Sequence, residues 1–409
     1  TGLYNSTGFS KAVLKLKAEC PDEELYILTA DIKDFKLIND KYGYETGDKV
    51  LKSLAEGMKN DFPEYAPLCR SSADHFYFCI KKDDYVYDKS MIWKDAVSHL
   101  IDVYDLQIVM HYGVYQIRKE DNVVGIMCDY ARMAMNRIKD SYDTFVEFFD
   151  MSMMDETLRI KDMVKNYDLA LENKQFKMFL QPQVLPGGKV IGAEALVRWE
   201  DPVLGIISPG SFIPIFEKIG LIYRLDEYIW EEAVKQLNRW KGTERDSYHI
   251  SVNISTKDFK HIDVYQTFVD LVEKYDVSPS KLKLEITESA FMKEPEKQIA
   301  LIERLQKYGF SVEIDDFGSG FSSLNILKDM KANVLKIDMG FLRKTKETER
   351  SKAIIDSVIK MAKVLDMKVV SEGVEEKEQV EFLTESGCDI FQGYYFDRPI
   401  PVSEFEKKY

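Results

Sequence analysis

Cysteine is scarce in this sequence. The chain has five cysteines among 409 residues, and no two of them form a CxxC pair. This spacing argues against a disulfide framework and a cysteine-bound zinc site, and it suits a reducing compartment. The sequence also lacks a signal peptide and any apolar run long enough to span a bilayer. We therefore expect a cytoplasmic protein. Because the chain begins with Thr1 and not Met, we interpret it as a fragment, in which any upstream sensor or membrane anchor would not be visible.

Basic residues are outnumbered by acidic ones. Lysine and arginine total 56, aspartate and glutamate total 70, and the formal net charge is −14. Proteins that bind a nucleic-acid polymer usually show a basic face, so we predict no such partner. A nucleotide substrate stays compatible with the acidic balance, provided that metal ions offset the negative charge.

The length of the chain favours two domains. Residues 1–150 mix strand and helix patterns and predict an α+β domain. The strands predicted there are Leu25–Asp31, His75–Ile80 and Leu106–Ile117, and the helices are Lys49–Met58 and Val124–Lys139. Residues 151–165 have a charged helical pattern that predicts a linker helix. Residues 166–409 are predicted to form the second domain.

Short β-rich runs alternate with longer helical patterns in the second domain. Eight strands are predicted there: Phe176–Leu180, Val190–Ala193, Ile250–Asn253, Lys281–Glu285, Ser311–Ile314, Val334–Ile337, Lys368–Val370 and Ile390–Gln392. This alternation predicts an α/β fold of the (β/α)₈ barrel type, whose active sites lie at the carboxyl ends of the strands.

Polar residues stand at the predicted end of every barrel strand. They are Gln181, Glu194, Asn253, Glu285, Asp315 with Asp316, Lys336, Glu372 and Gln392. Carboxylate and amide oxygens suit hard cations such as Mg²⁺ or Mn²⁺. None of the five histidines belongs to this set, which argues against zinc. No Ser-His-Asp arrangement supports covalent acyl chemistry either.

The stretch Ile314–Gly320 is the most acidic of these strand ends. Its paired acids, Asp315 and Asp316, could hold two cations, with one Asp bridging both. Considered alone, the stretch is equally compatible with an Asp-Gly turn that caps the next helix.

The motifs in this half resemble those of EAL domains, the cyclic di-GMP phosphodiesterases. They follow in the family's order as Gln181-Pro182, Glu194-Ala195-Leu196-Val197-Arg198, Ser251–Ser255, Leu284–Ser289, Asp315–Leu324, Leu335–Asp338, Ser371–Glu375 and Gln392-Gly393-Tyr394. The resemblance implies hydrolysis of cyclic di-GMP to linear pGpG with two metal ions, and a homodimer formed through this domain. Two alternatives stay open, a receptor that binds cyclic di-GMP without cutting it and a structural interaction module.

The resemblance also implies a role for each site residue. Glu194, Asn253, Glu285 and Asp315 would hold the first metal ion, and Asp315, Asp316 and Glu372 the second. Lys336 would orient the attacking water, and Glu288 would brace the loop after Asp316. Substrate contacts would come from Gln181, Leu196, Arg198, Asp338 and Gln392.

The N-terminal half resembles the GGDEF diguanylate cyclases. Thr1–Asn5, Asp31–Asp40, Tyr42-Gly43 and Gly47-Asp48 match the family, but its signature has become Ser72-Ala73-Asp74-His75-Phe76. Two glycines are lost, and His75 stands where a metal-binding acid is expected. We therefore expect a degenerate domain without cyclase activity that regulates its neighbour. Asn39, Asp48 and Lys139 are candidate GTP contacts, and simple docking is the alternative to GTP sensing.

Overall fold

The structure is a computed structural model that describes residues 1–72, 74–85, 108–141, 143–291, 295–317, 332–338 and 348–409. These residues divide into two compact units, Thr1–Arg159 and Ile160–Tyr409. Three sequence features lie partly or wholly outside the described residues. They are Ala73 of the altered signature, Gly318–Leu324 of the paired-acid motif, and the first two residues of the predicted strand Leu106–Ile117.

A five-stranded sheet forms the centre of the first unit. Its strands have the spatial order β2-β3-β1-β4-β5, with β4 and β5 parallel and the other neighbours antiparallel. The strands are β1 (Leu25–Ile32), β2 (Leu68–Ser72), β3 (His75–Lys81), β4 (Met110–Gln116) and β5 (Val146–Phe148). The helices described in this unit include Ser6–Glu19, Phe35–Tyr42, Tyr44–Asp61 and Val124–Ile138.

Both faces of this sheet are covered by helices. Every residue of β1 is buried. On one face Leu28 packs in a cluster with Leu54, and on the other Ile27 packs with Val13 and Ala131. Alternate side chains of one strand thus serve two cores. The predicted α+β fold of this half is confirmed.

One helix, Met151–Glu172, includes the segment predicted as a linker and continues beyond it. None of the described helices has the length and apolar character needed to cross a membrane.

Eight strands close into a barrel in the second unit. Pairing proceeds around the barrel in the order β6-β7-β9-β10-β11-β12-β13-β14 and closes where β14 meets β6. The strands of the second unit are β6 (Phe176–Val184), β7 (Val190–Asp201), β8 (Gly205–Ile207), β9 (His249–Ile254), β10 (Leu282–Thr287), β11 (Ser311–Phe317), β12 (Val334–Asp338), β13 (Lys368–Glu372), β14 (Ile390–Phe391) and β15 (Ile400–Pro401). Each predicted barrel strand therefore has its counterpart, and the predicted barrel fold is confirmed.

The first barrel strand departs from the regular pattern. β6 runs antiparallel to both β7 and β14, and a tight connection joins it to β7 without an intervening helix. Gln181 and Glu194 were predicted at the carboxyl ends of their strands, and this is wrong, because β6 continues to Val184 and β7 continues to Asp201. The hairpin still brings Gln181 to the site, since its register pairs Gln181 with Glu194.

Helices follow most of the parallel strands and bury the outside of the barrel. The helices described in this unit are Pro209–Ile219, Ile222–Trp240, Asp258–His261, Val264–Lys274, Pro295–Tyr308, Thr348–Val364, Lys377–Glu385 and Val402–Lys408. Side-chain caps mark the start of two of them. The Asp263 side chain accepts a hydrogen bond from the backbone N–H of Gln266 before Val264–Lys274, and Glu376 with Gln379 forms a capping box at the start of Lys377–Glu385. This frame holds the strand ends in fixed relation to one another.

Candidate active site

Four carboxylates surround one buried ammonium group at the predicted strand ends. Lys336 Nζ lies 2.6 Å from Glu285 Oε2, 2.5 Å from Glu372 Oε1, and 3.5 Å from both Glu194 Oε2 and Asp315 Oδ1. The Lys336 side chain is 1 % exposed. Five polar residues predicted from five different strands therefore meet at one point.

Strand pairing explains why these side chains meet. In the parallel register Asn253 of β9 lies beside Glu285 of β10, and Asp338 of β12 lies beside Glu372 of β13. Neighbouring positions in a parallel sheet point to the same face, so inward-facing side chains form a layer across the barrel.

A β-bulge shapes the paired acids on β11. The pairing of β11 with β12 shifts between Ile314 and Phe317, and Asp316 has a φ of 55°. The extra residue interrupts the strict alternation of side chains and bends the strand. The backbone N–H of Asp316 donates to Asp315 Oδ1 over 2.8 Å. Asp315 is buried in the ring, and Asp316 is exposed beside it.

The charges of the ring are unbalanced. Four carboxylates face one ammonium, so three negative charges lack a partner if all groups are ionised. Burial and the charge of Glu194 raise the pKa of Glu285 well above its ordinary value. Burial, with Asp315 and Glu194, likewise raises the pKa of Glu372 to about 8. Burial alone would lower the pKa of Lys336, but the surrounding carboxylates, Glu194 first, raise it well above its usual range.

The residues of the ring fit a hard divalent cation. Both carboxylate oxygens of Glu285 and Oε1 of Glu372 are buried and accept no hydrogen bond from the residues that the structure describes. The cation that lies close to them is the Lys336 ammonium, which also contacts the other acids of the ring. Buried carboxylate oxygens in excess of positive charge are the ligands that Mg²⁺ and Mn²⁺ take.

Two amide side chains donate to Glu194, and one of them also contacts a third amide, that of Gln181. Asn253 Nδ2 donates to Glu194 Oε1 over 2.8 Å, and Gln392 Nε2 donates to Glu194 Oε2 over 2.5 Å. Gln392 Nε2 also lies 3.1 Å from Gln181 Oε1. Glu194, Asn253, Gln181 and Gln392 thus form a connected group at the predicted rim.

The remaining predicted residues lie around this group. Leu196, Glu194 and Asn253 line a cavity of about 330 Å³. Arg198 lies two residues further along β7, with its guanidinium 5.7 Å from the Phe179 ring, and burial lowers its pKa. Asp338 is exposed at the end of β12, two residues beyond Lys336.

Glu288 occupies a separate position. It begins the short 3₁₀ turn Glu288–Phe291 directly after β10 and is buried. The loop that it was predicted to brace lies outside the described residues, so this role stays a prediction.

A second polar layer below the ring was not predicted. His249 Nε2 lies 2.7 Å from Gln183 Oε1, and Gln183 Nε2 donates to Gln392 Oε1 over 3.1 Å. Ser251 Oγ donates to Glu313 Oε2, and Lys283 Nζ lies 3.0 Å from Glu313 Oε1. Gln183, Ser251, Lys283 and Glu313 each lie two positions from a rim residue on their own strand, and His249 lies four positions from Asn253. Because every second side chain of a strand points to the same face, counting two positions from each rim residue could have predicted most of this layer.

The histidine of this layer is neutral. Burial lowers the pKa of His249 to about 3. Gly192 makes room for it, because a Cβ at that position would lie 2.7 Å from the imidazole ring. A neutral imidazole that donates from Nε2 sets the orientation of the Gln183 amide, and Gln183 in turn sets that of Gln392.

Three further acids close to the cavity were not predicted as site residues. Asp226 and Glu217 line the 330 Å³ cavity, and Asp258 lies beside them, fully buried. Burial raises the pKa of Asp258 to about 7. Burial, with Asp258 as neighbour, raises that of Asp226 well above its ordinary value. Asp226 is half-buried, whereas Asp258 is fully buried.

The candidate nucleotide contacts of the first unit are spread over three helix ends. Asn39 packs against Gly47, the residue before the exposed Asp48. Lys139 follows the helix Val124–Ile138, with its Nζ 3.8 Å from Asp31 Oδ2. Asn39 and Asp48 therefore lie near each other, and Lys139 contacts the sheet.

Two protein families match this chain. The EAL domain matches residues 164–399, and the diguanylate cyclase, GGDEF domain matches residues 1–143. The bifunctional diguanylate cyclase/cyclic di-GMP phosphodiesterase MucR of Pseudomonas aeruginosa is 32 % identical over 388 residues, which are 94 % of this chain and 57 % of the relative. The cyclic di-GMP phosphodiesterase NbdA of the same organism is 29 % identical over 416 residues, 100 % of this chain and 53 % of NbdA. The chain thus spans about half the length of the curated relatives it matches.

Solved structures show the same likeness. The MucR phosphodiesterase of P. aeruginosa in complex with cyclic di-GMP has a TM-score of 0.57 and 38 % identity, covering 60 % of this chain and 99 % of that one. The Vibrio cholerae LapD S helix-GGDEF-EAL structure has a TM-score of 0.56 over 97 % of this chain and 94 % of that one. At 20 % identity it supports the fold alone.

Proposed function

The chain belongs to the EAL domain family, with a GGDEF domain ahead of the barrel, and from this premise we propose that the barrel hydrolyses cyclic di-GMP to linear pGpG. The observation that carries the proposal is the ring of Glu194, Glu285, Asp315 and Glu372 around Lys336. It combines an excess of buried negative charge with one fixed ammonium group. An arrangement of this kind costs stability unless cations offset it, so it is better explained by chemistry than by folding.

The same residues would hold the metal ions. Glu194, Asn253, Glu285 and Asp315 would bind one divalent cation, and Asp315, Asp316 and Glu372 a second. When bound, Mg²⁺ or Mn²⁺ would activate water and offset the charge of the phosphodiester.

The other site residues would position the reactants. Lys336 would orient the attacking water through its ammonium group, which the ring holds protonated. Arg198 would pair with a phosphate of the substrate, while Gln181, Leu196, Asp338 and Gln392 would contact the rest of it. Attack at phosphorus and departure of a 3′-oxygen would open one ring bond and give pGpG.

Turnover of cyclic di-GMP tests this function directly. The full chain is incubated with cyclic di-GMP and Mg²⁺ or Mn²⁺, and the products are separated by chromatography. We expect pGpG, no turnover after EDTA treatment and desalting, and inhibition by Ca²⁺, which favours looser coordination. Binding of cyclic di-GMP without turnover would favour the receptor alternative. Absence of binding would favour an interaction module.

For the first unit we propose a degenerate GGDEF domain that regulates the barrel without making cyclic di-GMP. His75 and the lost glycines support this proposal, because the glycines would let the backbone approach a nucleotide closely. GTP, contacted by Asn39, Asp48 and Lys139, is the candidate regulator. We expect no cyclic di-GMP from GTP in a Glu194→Ala variant, in which any product would accumulate. GTP that neither binds by calorimetry nor changes the hydrolysis rate would leave docking as the role.

We also propose domain boundaries and a cellular compartment. We assign 1–150 to the GGDEF domain, 151–165 to a linker helix and 166–409 to the EAL domain, and we place the protein in the cytoplasm. All five cysteines are free, which supports a reducing compartment.

A further inference from the structure

We propose that Gln183 and His249 are positioning residues for metal binding at the barrel ring, because they fix the direction in which the Gln392 amide meets Glu194. The proposal rests on the proposed function, in which Glu194 holds a divalent cation. Both residues lie one layer below the rim, and their effect passes through Gln392.

The amide of Gln392 has two ends of opposite polarity, and only one orientation suits Glu194. Gln392 Nε2 donates to Glu194 Oε2 over 2.5 Å and to Gln181 Oε1 over 3.1 Å. If the amide turned over, its oxygen would face the Glu194 carboxylate at this short distance, and two acceptors repel each other. The oxygen and the NH₂ group of an amide differ little in size, so hydrogen bonds and not packing must select the orientation.

Gln183 selects the orientation of Gln392. Gln183 Nε2 donates to Gln392 Oε1 over 3.1 Å, which keeps that oxygen turned away from Glu194. Gln183 is fully buried, so solvent does not supply a substitute donor. The direction of the Gln392 amide therefore depends on the direction of the Gln183 amide.

The Gln183 amide is itself held at both ends. Its Oε1 lies 2.7 Å from His249 Nε2, and its Nε2 donates to Ser251 Oγ over 3.4 Å. Ser251 gives its single hydroxyl hydrogen to Glu313 Oε2 over 3.2 Å, so the Ser251 oxygen is left to accept from Gln183. Glu313 is fully buried with its Oε1 3.0 Å from the Lys283 ammonium, and an ionised carboxylate can only accept. This fixed acceptor sets the direction of Gln183, so His249 Nε2 must carry the hydrogen that Gln183 Oε1 accepts.

A missing side chain allows His249 to reach Gln183. Gly192 of β7 lies between them, paired with Gln183 of β6 on one side and with His249 of β9 on the other. A Cβ at Gly192 would lie 2.7 Å from the imidazole ring. The ring therefore occupies the space that a side chain of β7 would otherwise fill, and so spans from β9 to β6.

The consequence of this series is a fixed carboxylate at the ring. Glu194 accepts from Asn253 at Oε1 and from Gln392 at Oε2, so both ends of its carboxylate are held. Each oxygen that accepts one N–H keeps a further lone pair for a cation. Loss of the donor at Oε2 would free the carboxylate to rotate, and partners that orient a metal ligand in this way are worth about 10–100-fold in metal affinity.

Binding of Mn²⁺ without substrate tests the proposal. The full chain is titrated with Mn²⁺ by calorimetry, and the equivalent that depends on Glu194 is identified by its loss in Glu194→Ala. In Gln183→Met, which keeps the approximate shape and removes the amide, this equivalent should bind at least about 10-fold more weakly. Gln236→Met is the matched control, because Gln236 is also buried but donates to Glu406, which is not a ring residue. It should keep the Mn²⁺ affinity of wild type even if its thermal stability falls.

Two substitutions of His249 separate hydrogen bonding from packing. His249→Gln places an amide donor close to the position of Nε2 and should keep the Mn²⁺ affinity near that of wild type. His249→Phe fills the space of the ring without a donor and should weaken Mn²⁺ binding as much as Gln183→Met does. This pair also decides the question if Gln183→Met does not fold.

Hydrolysis of cyclic di-GMP by the same proteins is the second readout. Gln183→Met and His249→Phe should need more Mn²⁺ for half-maximal activity, whereas KM for cyclic di-GMP and kcat at saturating Mn²⁺ should stay close to those of wild type. If the chain hydrolyses no cyclic di-GMP, the proposed function fails, while the Mn²⁺ titrations still test this inference.

Equal Mn²⁺ affinity in wild type, Gln183→Met and His249→Phe would overturn the proposal. A loss of affinity in Gln236→Met as large as that in Gln183→Met would overturn it too, because the effect would then follow from lost stability. His249→Gln that binds Mn²⁺ as weakly as His249→Phe would refute the role of His249 as the donor.

Discussion

Glu194 connects the amide side chains of the barrel site to the ring around Lys336. Its two carboxylate oxygens accept hydrogen bonds from the side-chain amides of Asn253 and Gln392, and Lys336 Nζ lies 3.5 Å from Glu194 Oε2. The side chain is nevertheless surrounded by like charges, since Glu285 and Asp315 share the same ammonium. A residue held by so many partners in a repulsive setting is adapted to bind a ligand and not to stabilise the fold.

Replacing Glu194 by alanine tests this interpretation. We expect Glu194→Ala to lower the rate of cyclic di-GMP hydrolysis by at least about 100-fold, because a proposed metal ligand is lost. The metal-free thermal unfolding temperature should not fall, because repulsion within the ring is relieved. Glu200→Ala is the matched control, since Glu200 is exposed on the same strand. Near-normal turnover of Glu194→Ala at saturating Mg²⁺ would show that Glu194 is misassigned.

Asp258 and Asp226 give the barrel unit a pH-dependent stability. The pKa of Asp258 is raised from 3.8 to about 7 by burial. A raised pKa means that the folded state holds the proton more tightly than the unfolded chain. The stabilising contribution is therefore complete below about pH 4 and is lost as the pH rises through about 7.

Asp258→Asn should remove this dependence. The asparagine amide can donate to Asp226, and its carbonyl oxygen can accept the Ser255 N–H that Asp258 accepts now. We compare the free energy of unfolding of Asp258→Asn with that of wild type at each pH. The difference, variant minus wild type, should be larger at pH 8 than at pH 5 by on the order of a few kcal/mol. Urea unfolding at both pH values measures it, with Asp270→Asn as an exposed control. Parallel pH profiles of wild type and Asp258→Asn would contradict the assignment.

At the scale of single elements, strand β11 places two acidic side chains at the site through a β-bulge with a strained backbone. Asp316 has a positive φ of 55°, a conformation that asparagine tolerates better than most other side chains. The bulge allows Asp315 to enter the ring while its neighbour stays exposed beside it. A regular strand would direct two adjacent acids to opposite faces.

Substitutions at Asp316 separate charge from backbone conformation. We expect Asp316→Asn to keep the stability of the fold and to lose most turnover, because the carboxylate charge is gone. Asp316→Ala should lose turnover and also be less stable than Asp316→Asn by about 1 kcal/mol. The same pair at Asp366, which has a φ of 60° outside the site, should show the stability difference alone. Full activity of Asp316→Asn would show that the charge of Asp316 is not needed for turnover, and full activity of Asp316→Ala would exclude Asp316 as a metal ligand.

Strand β9 shows how one element supports two layers of the site. His249, Ser251 and Asn253 alternate along it and face the barrel interior. Asn253 reaches the ring, while His249 and Ser251 contact Gln183 and Glu313 below it. The lower layer fixes the orientation of the amides in the upper one, so the rim is pre-organised before substrate arrives.

At the scale of the whole molecule, each unit holds a carboxylate cluster of its own. The barrel presents oxygen ligands around a lysine, and the first unit presents two acids with a histidine. The two clusters differ in their donor atoms, because the one in the first unit includes an imidazole nitrogen and the ring has carboxylate oxygens.

Association of the EAL unit is a prediction at this scale. We expect two copies of the chain to form a dimer through the EAL domain, and dilution that separates them to lower the hydrolysis rate. The loop Asp316–Leu324, to which the family resemblance assigns this contact, lies mostly outside the described residues. Light scattering at assay concentrations measures the mass in solution. A fully active monomer would refute the expectation.

Much of the barrel was predictable from local patterns. The strand cores are apolar, polar residues follow them at a regular period, and parallel strands end at one edge, so Glu285, Asp315 and Glu372 were expected at one rim from periodicity and motif order. Glu194 was expected at the same rim, although it lies inside β7 and not at its end. The α+β fold of the first unit follows in the same way. These features depend on residues that are neighbours along the chain or that repeat with a fixed period.

Only the tertiary structure decided the rest. The reversed direction of β6, the position of Lys336 amid four acids, the His249–Gln183–Gln392 series and the pairing of Asp31 with His75 all join segments far apart in sequence. Strand direction is set by which edges remain to be paired when the barrel closes, and pKa values are set by burial and by charges from other strands. Neither quantity is encoded by a local pattern, because each arises only when distant side chains are brought within a few ångströms of one another.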